Sequence, residues 1–431
     1  MLAVAVASCG PPPRDPNTVE FWTLQLSPAF DDYFRDLIAR YEAAHPGTTI
    51  RWVDVPYEGI TQKYLNAIAA GQAPDVVNLP ADYVLKYARL GALARLDTLV
   101  SDSVRAAYLP SAMAPLVVDV AGSPGQGEAL DGDTRGPYGL PWYLSTQVFI
   151  YDRTKLAAAG VDSSTVPTTF DGLLALAKDY HAKTGDYAFF YNLVAESDLV
   201  MVLQAEGIPV VTADGRRAAF NTPEAAAILE RWRDTFRAGA MPRESLTQGH
   251  AAAMKLYQSG TIAMFVGGPQ FLRIIRENAP ALYASTAVAP ALTGRSGARN
   301  LAVMSLAVSR KSLNARAAAD FAAFVTSGAN QLAFARRVPV YPSVTAALDD
   351  PFFRIPDTTG TGAGPLEARA RVIGASQLPG ARSLKPSLPN YNRLQEALKV
   401  QLLRAFKDGK PMRAALDDAA EAWNKILAEG R

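Results

Sequence analysis

Five aromatic residues stand where apolar runs give way to polar ones: Trp22, Tyr57, Trp142, Tyr143 and Tyr391. Beside them lie Gln25, Asp54, Asp82, Thr146 and Asn390. A ring covers an apolar face, and amide, hydroxyl and carboxylate groups around it fix orientation. A pyranose offers both partners, a C–H face and a rim of hydroxyls, so this combination suits carbohydrate recognition. Bond-breaking chemistry finds less support. His45, His181 and His250 are far apart and none sits in a metal-ligand spacing. There is no G-x-S-x-G elbow, no Walker loop and no Cys besides Cys9. The carboxylate pairs in "FDDYF" and "LDDAA" lie on amphipathic helical segments, where a solvated face is expected rather than an acid/base pair. No metal or cofactor is expected.

The elements that must position these residues can be read from periodicity. "VEFWTLQ", "TTIRWVDVP" and "DVVNLP" read as strands, each followed by a helical segment: 28–47, 57–74 and 81–93. This alternation argues a parallel, helix-covered sheet, whose ligands bind outside the carboxyl ends of the strands. Residues 119–137 and 357–364 are rich in Gly and read as loops. "YGLPWYLSTQVFIYD" reads as one long strand, and "GTIAMFVGG" as another. Helices are expected at 168–185, 222–242 and 316–328, after the strand in "YAFFYNLVAESD", and as a terminal pair beyond residue 393. Trp232 and Trp423 fall on apolar helical stripes and Trp52 within a strand, so core packing is expected for all three.

A chain of 431 residues suits two domains, and 49% hydrophobic with 19% charged residues describes a folded protein. The net charge of +2 arises from scattered basic residues, which argues against a nucleic-acid partner. Beyond the N-terminus no apolar run approaches the roughly 20 residues that span a bilayer. Cys9 follows Val6-Ala7-Ser8 and precedes a Pro-rich run. That order resembles a bacterial lipoprotein signal, in which the thiol takes a diacylglyceryl group, so export and membrane anchoring through Cys9 are expected.

The order of "FWTL", "YEAAHPG", "AIAAGQAPDVV", "YGLPWYLSTQVFIYDRTKLAAAGV", "GTIAMFVGGP", "LAVSRKS" and "ALDDAAEAW" resembles the extracellular solute-binding proteins of carbohydrate ABC transporters, the group that includes maltose-binding protein. The resemblance implies an α/β, periplasmic-binding-protein-like fold: two α/β lobes with a hinge and a ligand cleft between them. It implies a tether over 1–18, a first lobe from 19–137 with 266–304, and a second from 142–263 with 306–431. It further implies a monomer outside the cytoplasmic membrane, periplasmic or at the cell surface, that closes on a sugar and docks on permease subunits. By the same resemblance Asp82 takes the place of a hydroxyl-binding acid, with a helix cap as its alternative role. Trp142 and Tyr143 match a "PWY" turn that continues in Ser145-Thr146-Gln147 instead of a charged pair. Gln270, after Gly268 in "GGPQFL", stands where relatives often stack a Trp, and Tyr391 and Glu196 are placed toward the cleft. A cleft aromatic at Trp142 implies little contribution to either core. Two alternatives stay open: a secreted sugar-processing enzyme using Asp82 or Glu196 as general acid, and the same fold with a phosphorylated or cationic cargo.

Overall fold

A computed structural model describes residues 15–56, 59–121, 134–194, 198–356, 364–388 and 390–429. Cys9, Tyr57 and Glu196 lie outside the described residues. In chain order the strands are β1 (Thr18–Leu24), β2 (Thr49–Val55), β3 (Val76–Pro80), β4 (Val117–Asp119), β5 (Arg135–Pro137), β6 (Leu140–Ser145), β7 (Val148–Asp152), β8 (Tyr187–Phe190), β9 (Ile262–Gly267), β10 (Thr286–Pro290), β11 (Arg299–Asn300), β12 (Ala302–Val308), β13 (Tyr341–Pro342) and β14 (Ala381–Arg382).

Two larger sheets organise the chain. The first has six strands in the order β13-β6-β12-β3-β1-β2, and the second four in the order β10-β7-β9-β8. In the first, β1 runs parallel to β2 and β3, while β12 inserts antiparallel between β3 and β6. Alternation along β1 sends Val19 and Phe21 into one core with Phe34 and Phe321, and Trp22 and Leu24 into another with Tyr64 and Tyr87. Both faces are therefore covered, although the sheet is mixed and not parallel throughout as expected: β12 pairs antiparallel with β3 and β6, and β13 antiparallel with β6. The second sheet is backed by a large core in which Trp232 and Trp423 are buried, with the terminal helices Tyr391–Lys407 and Met412–Glu429 packed onto it. Helix ends follow local chemistry. Thr169 accepts from the Gly172 amide at 3.2 Å to start helix Phe170–Thr184, and Gly185, at φ +76°, ends it.

Two expectations change. "YGLPWYLSTQVFIYD" is not one strand: β6 ends at Ser145 in the first sheet and β7 begins at Val148 in the second, so Thr146 and Gln147 carry the chain across. The lobe limits move as well. Strands β9 and β10, with helices Gln270–Asn278 and Pro280–Ser285 between them, stay with the second sheet, whereas β12, helix Ala315–Val325 and helix Gly328–Ala335 return to the first. The reason is pairing: β10 lies antiparallel on β7 with Thr286 opposite Asp152, and β12 pairs with β3 with Met304 opposite Pro80. Such long-range pairings leave no mark on local periodicity.

Candidate ligand cleft

The chain crosses between sheets several times, and the crossings are tied together. Besides Thr146–Gln147, the pair β11 and β14 runs parallel through the junction, with Asn300 opposite Arg382. Thr146 Oγ1 donates to the Asn300 carbonyl at 3.2 Å, while the Asn300 Oδ1 accepts from the Leu384 amide at 3.1 Å. Gln377, buried at 4% exposure, donates through Nε2 to the Gln147 carbonyl at 3.2 Å and accepts through Oε1 from the Ala291 amide at 2.7 Å. Arg299 Nε donates to the Ala291 carbonyl at 2.8 Å, and burial pushes its guanidinium below the usual range. Neither Asn300 nor Gln377 was marked by the sequence. Their side chains join segments 84 to 230 positions apart.

At this junction a small pocket opens on the second lobe, lined by Gln147, Phe170, Tyr191, Met201, Leu292 and Asn300 among others. It encloses about 20 Å³, room for about one water and too little for a sugar ring. Tyr191, whose ring lies 4.6 Å from that of Trp232, is a pocket aromatic that the sequence reading missed. Its signal was its place directly after β8, at the carboxyl end of a strand. A larger depression of about 400 Å³, between helix Asp31–Ala44 and edge strand β2, includes Asp31, Arg35, Glu42 and Trp52 and no crossing residue. Trp52, expected in the core, is only half-buried, stacked on Phe34 at 4.6 Å.

The first lobe contributes the ends of β1 and β3. Gln25 is exposed just beyond β1 at φ +53°, a conformation that non-glycine residues take only when their surroundings impose it. Asp54 does so: it accepts from Thr23 Oγ1 at 2.6 Å, from the Leu26 amide at 3.0 Å and from the Ser27 amide at 3.1 Å. Its carboxylate is committed to the turn. Asp82 is the second residue of helix Ala81–Arg89, which has no side-chain cap. It caps nothing: its Oδ2 instead accepts from Lys385 Nζ at 2.8 Å, and Lys385 in turn lies over the Tyr391 ring at 5.4 Å. Asp82 and Tyr391, from opposite lobes, thus meet through one lysine, with the Tyr391 ring buried at 7% exposure beneath it.

The other expected site residues divide. Trp142 corrects the sequence reading. It is fully buried, with Phe21, Phe34 and Phe334 around it at 5.2–6.3 Å, and so presents no face to a ligand. A β-bulge falls here, with Met304 paired to Tyr143 and Ser305 to Pro141, and Trp142 shares with Leu140 the core on one covered face of the sheet. Tyr143 is half-buried and packs on Trp142 and Phe334. Trp22 is also a core residue, at 6% exposure, because it lies two residues inside the end of β1. Its indole donates to Glu20 Oε1 at 2.6 Å and Lys63 Nζ lies 4.5 Å over its ring. Ser145 is half-buried at the crossing opposite Ala302. Gln270 is exposed at the start of its helix, and its amide folds over Gly268 so closely that a methyl group there would collide.

Comparison with known proteins accords with this architecture. A solved candidate oligosaccharide periplasmic-binding protein of Synechococcus sp. MITs9220 is 33% identical, covering 95% of this chain and 99% of its own, with a TM-score of 0.83. The sugar-binding protein MalE of Xanthomonas citri shares the fold at 21% identity and a TM-score of 0.77, covering 96% and 98%. A candidate binding protein of Brucella abortus is 24% identical over 289 residues, and the match spans 66% of each chain. Residues 27–332 match the bacterial extracellular solute-binding protein family, and the chain belongs to that family.

Proposed function

We propose that the protein captures a carbohydrate outside the cytoplasmic membrane, held there by a lipid on Cys9, and passes it to the permease of an ABC transporter. The observation that carries this reading is the meeting of Asp82 and Tyr391 across the crossing segments, an acceptor and a ring supplied by different lobes. An ionised carboxylate accepts hydroxyl hydrogen bonds and a ring takes a C–H face. The solved relative at 33% identity carries an oligosaccharide-binding description, which favours the same class of cargo. No helix among the described residues is long and apolar enough to cross a membrane.

A thermal-shift screen against mono-, di- and oligosaccharides tests the cargo. At 100 times its dissociation constant a true ligand stabilises the protein by about 2.7 kcal/mol. Asp82→Asn should weaken that ligand's binding about ten-fold by calorimetry, since a hydrogen bond to a charged group contributes roughly 1.5–3 kcal/mol. No stabilisation by any sugar would overturn the carbohydrate reading, and sugar turnover on long incubation would overturn binding in favour of catalysis.

A further inference from the structure

We infer that Lys385 is an internal occupant of the cleft: its ammonium holds the two lobes together through the carboxylate and the ring that a ligand would use, and a ligand must displace it. This rests on the carbohydrate reading only for the identity of the displacing ligand.

The residues at either end are firmly placed. Asp82 rides on helix Ala81–Arg89, which is anchored in a first-lobe core by Val84, Leu85 and Tyr87. Lys385 lies between Leu384 and Tyr391, both buried in the main core of the second lobe. Its backbone is held at the junction, where the Leu384 amide donates to Asn300 Oδ1 and Ser383 Oγ donates to the Lys385 carbonyl at 3.0 Å. The ion pair joins residues 303 positions apart, so it reports the approach of one lobe to the other.

Its strength is suited to a removable contact. The side chains are 44% and 25% exposed, so water and salt screen the pair and its net contribution is small. Wholly buried, it would resist displacement; wholly exposed, it would not bias the lobes. An ionised Asp82 only accepts hydrogen bonds, so whatever replaces the ammonium must bring donors. It must also present to Tyr391 either positive charge or a C–H face, because an aromatic face attracts both. A neutral polyol ring meets both demands. A cargo that offers acceptors alone cannot take the ammonium's place on Asp82.

The test uses the full chain free of sugar. Lys385→Met keeps most of the stem and removes the charge; small-angle scattering should show a larger radius of gyration, the closed population falling about two- to five-fold. Raising salt should expand the wild type toward the same value and leave Lys385→Met unmoved. The swap Asp82→Lys with Lys385→Asp should restore compaction. An unchanged radius in Lys385→Met overturns the inference, as does a swap that stays open while its melting temperature matches wild type. Calorimetry with maltose, maltotriose and glucose forms a second arm: any of these that binds wild type should bind Lys385→Met about two- to five-fold tighter, and weaker binding would make Lys385 a ligand donor and overturn its role as occupant. If none binds either protein while Lys385→Met opens, the occupant stands, and the carbohydrate reading is decided by the wider sugar screen.

Discussion

The two lobes place their aromatic residues differently. In the first, Phe21, Phe34, Trp142 and Phe334 close on one another inside the core beneath the sheet, and what reaches the strand ends is polar, Gln25 and Asp82. In the second, Phe170 and Tyr191 stand at the pocket beside the crossing segments with Trp232 behind them. One lobe therefore offers hydrogen-bonding groups and the other offers rings. A ligand with a hydroxyl rim and a C–H face would need both, which gives a physical reason for a cleft that has to close. The contrast also shows that ring identity does not make a platform. Trp142 lies inside β6 on a covered face of its sheet, whereas Tyr191 follows the end of β8 and stands beside the pocket.

The sharpest way to break this comparison is Trp142→Ala. With the residue fully buried among four aromatic neighbours, truncation should destabilise the ligand-free protein by about 3–5 kcal/mol, read by denaturant unfolding. A free protein with wild-type stability and weakened sugar binding would return Trp142 to the cleft and erase the distinction between the lobes.

A smaller effect is expected at the seam between them. Gln377→Ala leaves the Gln147 carbonyl and the Ala291 amide without their partner in a buried setting, which should cost about 1–3 kcal/mol. Because both groups lie at the crossing, hydrogen exchange should rise first at residues 146–148 and 291–301, ahead of either lobe's core. Uniform loss of protection would mean that Gln377 supports a lobe and not the hinge.

Much of the fold was legible where the deciding contacts are local. The first three strand-helix units show in sequence because each helix packs on the strand beside it, as Phe34 and Leu37 do on Val19 and Phe21. Trp232 and Trp423 were readable as core for the same reason, each lying on a helical stripe. The crossing at Thr146–Gln147 has a local mark, the polar Ser145-Thr146-Gln147 between two apolar runs, but three polar residues do not say that the next strand joins a different sheet. The hinge groups Asn300 and Gln377 were hidden because an amide declares no partner until distant segments meet. In the cleft, Asp82 and Tyr391 were legible as types of chemistry. Lys385, which joins them, looks like any solvated lysine in the run "RSLKPS".

The least costly perturbation probes whether the first lobe's polar groups outside the cleft are stabilising in their own right. Arg95 Nε donates to both oxygens of Asp97, at 3.1 and 3.2 Å, and its guanidinium lies against Gly136 in β5, so the pair fastens the β4–β5 hairpin to the segment before it. The hydrogen bond from Arg95 holds the Asp97 carboxyl below its ordinary range. A carboxyl depressed in the folded state stabilises above its unfolded value, roughly pH 4, and that contribution disappears as pH falls through the folded value. Asp97→Asn should thus be less stable than wild type at neutral pH by at most about 1 kcal/mol, because the pair is partly open to water. The two stability curves should converge as the solution is acidified through and below the ordinary carboxylate range. A constant gap down to that point would assign the loss to packing of the altered side chain rather than to charge.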